Sequence, residues 1–368
     1  MTRFAPALSL YLGRQFLAAL GGVLALFLGL ILLFDTIELL RRTVRAEGAE
    51  LSTLVGLALL KAPHTLQDTL PFAIMIAAMY ALFRHSRHHE LVIFRAAGLS
   101  AWQVLAPALV LAAALGVITL LVFNPLAAGL YANYERLKGG LIRNDLTALD
   151  IDESGFWLRE VRGAEVVTLH ARHVRQQPAK LELAEVTILV TDAKTRLIRR
   201  VEADFGELRQ GAFDLNNVLT LEPGRPARRE TYGLQPTEIT LERVQDSLAN
   251  PETLSFWDLP DFIALSQAAG FSARPHRLYL QSLMATPMLL CAMVLLAAAF
   301  FLTAQARVAA WTMRAAAGVA AGFCLYFFSQ FTYALGLAAT LPLTLAAWAP
   351  AAIALLLGLA YLFYREDG

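Results

Sequence analysis

Residues 84–100 read RHSRHHELVIFRAAGLS, from Arg84 to Ser100, and they lie between two long apolar stretches. Ser86 is placed to cap a helix over 87–97, and Gly98 can take the left-handed conformation that ends it. Ser100-Ala-Trp-Gln103 then has the spacing of a capping box, so a new helix is expected to begin there. Arg84, Arg87 and Arg95 stand against a single acid, Glu90, and this positive balance assigns the segment to the cytoplasmic face of a membrane. Two readings stay open for it: a solvated amphipathic connector, or a docking helix offered to a cytoplasmic partner.

Working outward, the chain of 368 residues is 57% hydrophobic and only 17% charged, which points to a membrane protein. Its net charge of +1 and the lack of a basic tail argue against a nucleic-acid partner. Cys291 and Cys324 both fall in apolar segments and are expected to be small buried hydrophobes, with no disulfide or metal role. Phe16–Phe34 is nineteen residues without a charge, enough to cross a core of roughly 30 Å. It lacks a small-residue cleavage site and is expected to remain as an anchor. Arg3 and Arg14 precede it, so the N-terminus is expected inside, and Asp35, Glu38, Arg41, Arg42 and Arg45 fall in a loop on the far side.

Leu51–Leu60 reads as a separate interfacial helix, with the second span over 62–83 and the third from Ala101 to about Leu130. Short β-rich runs separated by turn residues then follow: Gly155–Val161, Glu165–His170, Leu181–Val190, Arg196–Phe205, Phe213–Leu221 and Thr237–Leu241. They suggest an all-β sandwich or open jelly roll. A short amphipathic helix from Pro260 to Ala269 leads back to three further spans at about Leu278–Thr303, Met313–Leu337 and Leu343–Tyr364. The expected fold is therefore six transmembrane helices with a jelly-roll-like all-β domain between the third and fourth. Its parts are 1–130 (spans one to three, with the loop helix at 84–100), 131–275 (β domain and linker helix) and 276–368 (spans four to six).

The chain has no GxxxxGK[ST] loop, so it is not expected to hydrolyse ATP itself, and no HExxH or GxSxG is present. No cofactor is expected. His88 and His89 are adjacent on a helix, so their rings diverge and metal binding there is not expected. Arg41, Arg42 and Arg45 add positive charge to an outer loop. They serve either as interfacial partners of Asp35, Glu38 and Glu47 or as a bidentate site for lipid phosphate. Phe27 in the first span and Phe323, Tyr326 and Phe327 in the fifth are candidates for an acyl cavity and a lateral gate.

Several local features carry a resemblance: Tyr11-Leu12-Gly13-Arg14; Leu60-Lys61-Ala62-Pro63 with Leu70-Pro71; and His89-Glu90-Leu91-Val92 followed by Arg95-Ala96-Ala97-Gly98-Leu99-Ser100. To these add Asn124-Pro125 with Ala132-Asn133-Tyr134, Gly155-Phe156-Trp157-Leu158, Leu254-Ser255 with Leu259 through Gly270, and Gly322-Phe323 with Tyr326. In their order the chain resembles the YjgP/YjgQ permease family, the LptF and LptG subunits of the lipopolysaccharide exporter, and of the two it is more similar to LptG.

The resemblance implies a bacterial inner-membrane permease with both termini cytoplasmic and the β domain periplasmic. It would pair with an LptF-like permease, be driven by an LptB-like ATPase dimer, and deliver lipopolysaccharide to LptC- and LptA-like bridge proteins. It also implies that Glu90, flanked by Arg87 and Arg95, is the coupling acid that meets the ATPase, and that Arg41 and Arg42 lie near lipid phosphates. The chain departs from some relatives at Asp35, where they place a basic residue. Two other classes stay open: a secondary transporter, which requires paired ionisable groups near mid-membrane, and a structural envelope protein whose β domain only binds partners.

Overall fold

The apolar run that opens the chain does not stop at Phe34. In the computed structural model α1 runs Pro6–Thr43, because Ile37, Leu39 and Leu40 keep the helical period and Glu38 pairs with Arg41 one turn on. Arg41 and Arg42 therefore stand on a helix, not in a loop. The structure describes residues 6–43, 51–142, 147–152, 155–162, 165–177, 180–192, 196–209, 211–237, 250–268, 272–302 and 308–366. Arg45 and Glu47 fall outside these residues, as does all of the expected Thr237–Leu241 strand except Thr237, which is coil.

The second helix is one element, α2 (Leu51–Arg87), where an interfacial helix and a separate span were expected. Pro63 and Pro71 each remove a backbone donor, yet neither breaks it. Packing on both sides supplies the reason. Leu54, Leu57 and Ala58 are buried with Leu39 of α1 and with Tyr134, and Ala73, Ile74, Met75 and Ala77 belong to the main membrane core. The short α3 (Glu90–Ala96) follows, then α4 (Ala101–Ile118), a π-helical turn at Thr119–Phe123 and α5 (Asn124–Ile142).

The π turn has a local cause. Pro125 has no N–H for the Leu121 carbonyl four residues back. The Trp257 indole Nε1–H donates to that carbonyl at 3.2 Å, and Asn124 Oδ1 accepts the Phe256 N–H at 2.8 Å. The returning chain thus satisfies the groups that the irregular helix leaves open.

After the β strands come α6 (Leu259–Ala268), α7 (Arg274–Phe301), α8 (Val308–Leu337) and α9 (Leu343–Glu366). Among the described residues six helical stretches are long and apolar enough to cross a bilayer: Ala7–Arg41, Leu51–Arg87, Ala101–Lys138, Arg274–Phe301, Thr312–Leu337 and Leu343–Tyr364. Close approach between them depends on small residues. A Cβ on Gly116 of α4 would lie 2.5 Å from Pro287 Cα of α7, and one on Gly322 of α8 would lie 2.5 Å from the Met75 methyl of α2.

The chain divides into two compact units. One is Met1–Glu135 with Ser255–Trp257 and Arg277–Gly368; the other is Arg136–Leu254 with Asp258–His276. The second unit holds the expected jelly-roll-like insert as a seven-stranded antiparallel sheet in the order β1 to β7. The strands are β1 (Thr147–Asp152), β2 (Gly155–Arg162), β3 (Glu165–Gln177), β4 (Lys180–Asp192), β5 (Leu197–Arg209), β6 (Ala212–Leu221) and β7 (Arg228–Pro236).

Pairing along the long strands is interrupted at a row made by Arg172, Glu185, Asp204 and Asn217, and the register is the same on both sides of it; a separate one-residue shift falls between Val190 and Thr191, at the end of the β4–β5 ladder. Glu185 (φ 54°) and Asn217 (φ 57°) adopt left-handed backbone there. Inward positions shift by one residue across this row: Leu169 and Ala171 give way to Val174, and Leu183 is followed by Val186. The row is a crease. It is bridged on the surface by Arg172–Glu185 at 2.8 Å and by a hydrogen bond from Asn217 to Asp204.

Contacts across the interior show how far the sheet closes. Thr237 Oγ1, just past β7, donates to Glu160 Oε2 of β2 at 3.1 Å, although five strand steps of about 4.8 Å would separate these strands in a flat sheet. Arg199 likewise reaches Gln235 at 3.3 Å. The creased sheet therefore folds over a single apolar core that includes Phe156, Leu181, Leu183, Val186, Ile188 and Leu215.

Candidate functional site

Three elements meet at Glu90. Where the sequence placed a cap at Ser86 and a helix over 87–97, α2 continues to Arg87 and α3 begins only at Glu90. His89 is the turning residue, with φ 60° and ψ 11°, a left-handed conformation unusual for a residue with a side chain. That turn sends the chain back toward α2. The remaining boundaries are as the sequence indicates: Gly98 is left-handed at φ 80°, and Ser100 and Gln103 form both halves of a capping box.

The turn brings the Glu90 carboxylate to His85, whose Nδ1 lies 2.6 Å from Oε2, while the Tyr11 hydroxyl of α1 donates to Oε1 at 3.1 Å. His85 is buried, with its ring edge-on to Phe94 and tilted to Tyr11, each at 6.2 Å between centroids. Beneath α3, Leu91 is buried with Leu12 and Val104, and Leu8 and Phe94 pack against them. Arg87, Val92, Ile93 and Arg95 are exposed on the other side. The exposed face of α3 is thus apolar with a basic rim, and its one acid is turned toward its own chain.

Burial alone would push the Glu90 carboxyl up. The hydrogen bonds from His85 and Tyr11, together with the positive charge of His85 and His88, outweigh it and hold the carboxyl below its ordinary 4.5. A depressed carboxylate contributes its anchoring fully above the unfolded value and loses it as pH falls through the folded one. The protection of the Leu91–Ala96 amides, measured as exchange relative to the intrinsic rate at each pH, should therefore fall in the acid range below that ordinary value. Protection unchanged down to that range would mean the carboxylate does not seat α3.

Other expected site residues fall in separate places. Arg41 pairs with Glu38 at 3.1 Å in an exposed contact, and the side chain of Arg42 lies outside the described positions. Asp35, expected beside the arginines, is instead bonded by Lys61 of α2 at 2.7 Å. This ion pair joins two spans at the end of the Phe16–Phe34 run, and sequence spacing gave no sign of it. Phe323 and Tyr326 of α8 gather at Phe72 of α2, 5.4 and 5.6 Å away, and Phe327 is exposed beside Tyr326. Phe27 is half-buried against the main core. The sequence assigned no site role to His85 or Phe72, and Tyr11 entered only within the Tyr11-Leu12-Gly13-Arg14 motif. The i, i+5 placement of His85 and Glu90 across a basic loop was the only local hint.

The model of one family, described as lipopolysaccharide export system permease LptF/LptG, matches residues 10–365. No curated protein matches the chain.

Proposed function

The chain belongs to the lipopolysaccharide export permease family LptF/LptG, and from that premise we propose that it is a permease subunit of an ABC transporter. It extracts lipopolysaccharide from the outer leaflet of the inner membrane and passes it to a periplasmic bridge of the LptC and LptA kind. Both termini are cytoplasmic and the β insert is periplasmic. A second permease of the family completes the membrane path, and an LptB-like ATPase dimer supplies the energy, since this sequence carries no phosphate loop.

The observation that carries the reading is the family match over nearly the whole chain, joined to an exposed face made by Val92, Ile93 and Arg95 of α3 and by Arg87 at the end of α2. Lipid enters between spans one and five of the two permeases, beside Phe27, Phe323, Tyr326 and Phe327. Arg41, Arg42 and Arg45 are the groups that would bind its phosphates. Acyl chains travel along the apolar interior of the folded sheet. Purification from native membranes with mass spectrometry tests this. A second permease, an ATPase and lipopolysaccharide should accompany the chain, whereas a chain that purifies alone and moves a solute on an ion gradient would overturn it.

The arginine site makes a separate expectation. Arg41→Glu with Arg42→Glu should lower lipid-stimulated ATPase activity by about tenfold or more while basal ATPase activity persists, because hydrogen bonds to charged groups are worth about 1.5–3 kcal/mol each. An exposed pair such as Arg41–Glu38 is worth about 0–1 kcal/mol, so a loss below about fivefold would assign the cluster to structure alone.

A further inference from the structure

We propose that Glu90 is an internal strut, gripped by His85 of α2 and Tyr11 of α1, and that His85 and Tyr11 are positioning residues through which a displacement of α3 reaches the first two spans. This rests on the reading of α3 as the element on which an ATPase acts.

The geometry divides one carboxylate between two elements. Oε2 belongs to His85 at 2.6 Å and Oε1 to Tyr11 at 3.1 Å. The Tyr11 contact spans 79 residues of sequence, so it is a tertiary bond between α1 and α3 and not a feature of the loop. His85 is only 3% exposed and sits in the last turn of α2, held by Phe94 and Tyr11. A buried ring in fixed packing cannot follow α3 by rotating freely, so a push on α3 is passed to the helix that carries it.

The apolar contact beneath α3 is small, Leu91 and Phe94 against Leu8, Leu12 and Val104. By itself it permits sliding, because apolar packing is not directional. The carboxylate fork adds direction: two charge-assisted bonds at fixed angles on one short side chain. The outward face, Val92 and Ile93, is left for the partner. In this arrangement Glu90 acts on the chain that owns it, and the ATPase reads the apolar face.

The test uses the whole complex in proteoliposomes, with three readouts: retention of the ATPase on purification, lipopolysaccharide released per ATP hydrolysed, and amide exchange of α3 in the permease without ATPase. Tyr11→Phe keeps the ring and removes one bond. His85→Leu removes the other, and His85→Gln restores a donor. Glu90→Ala removes the strut. We expect His85→Leu and Glu90→Ala each to retain the ATPase and to lower lipid released per ATP about tenfold. Their combination should be no worse than either, because both remove one connection. Tyr11→Phe should move the ratio in the same direction by less, and His85→Gln should recover part of it.

Exchange in Leu91–Ala96 should rise about tenfold in the same variants. Normal coupling in His85→Leu beside lost coupling in Glu90→Ala would overturn the strut and place the acid on the partner. Losses that multiply in the double variant, or unchanged exchange, would also overturn it. If the wild-type chain bound no ATPase, the proposed function would fall, and exchange alone would still decide whether the strut exists.

Discussion

A chain carrying Ile188→Asp should insert all six spans and lose its folded β insert. Ile188 is 0% exposed at the centre of the only large apolar core among the described residues of that unit. An ionised carboxylate there has no partner, and its burial costs more than the roughly 5–15 kcal/mol that holds a domain of ordinary stability. Even protonated, it removes a packed isobutyl-sized group and leaves hydroxyl and carbonyl unsatisfied, about 3–5 kcal/mol in all. Thr187, one residue away, points to the other face opposite Glu202, so Thr187→Lys should be within about 0.5 kcal/mol of wild type. Limited proteolysis of the full chain in detergent reads the difference: cleavage within 156–236 should become rapid for Ile188→Asp and stay slow for Thr187→Lys. Protection in both would mean that the sheet does not fold over this core.

The same residues show how much the sequence could say. Leu181, Leu183, Val186, Ile188 and Val190 are all inward, and the three-residue step between Leu183 and Val186 marks the crease. Alternation made these strands legible because the buried face is continuous apolar surface. The strand Arg228–Pro236 was not legible: Arg228, Arg229, Glu230 and Gln235 interrupt any alternation, and its place is fixed by pairing with β6. In α2 the error ran the other way. Pro63, Pro71 and the polar residues Lys61, His64 and Asp68 suggested a break, but neighbours hold two of the polar side chains in place: Lys61 pairs with Asp35, and His64 stacks on Tyr131 at 4.4 Å. At Glu90 the sequence could single out the acid by its isolation among bases. It could not show which way the acid faces, because that depends on Tyr11, 79 residues away, and on the left-handed turn at His89.

Lys61→Met should cost about 2–4 kcal/mol. Lys61 Nζ lies 2.7 Å from Asp35 Oδ1, and the Asp35 side chain is 15% exposed against 31% for Lys61. Among the described residues Oδ2 of Asp35 is buried without a hydrogen-bond partner, so the carboxylate depends on Lys61 for its stabilisation. Removing one member of a buried pair strands the other charge, and that penalty is about 3–5 kcal/mol when burial is complete; partial exposure here lowers it. The two directions should be unequal. In Asp35→Asn the lysine keeps a long stem that can carry its ammonium to the polar boundary, so the loss should be smaller. In Lys61→Met the short aspartate has no such reach. The double variant Asp35→Leu with Lys61→Met should recover most of the stability, because well-packed apolar replacements of an ion pair are often neutral or stabilising. Thermal unfolding in detergent of Asp35→Leu, Lys61→Met and the double variant, run as a double-mutant cycle, measures the coupling directly. A cycle energy near zero would mean that the two side chains do not meet in the folded chain. A large one would mean that α1 and α2 move as a joined pair, the condition under which a pull on Tyr11 or His85 at one end is felt beside Arg41 at the other.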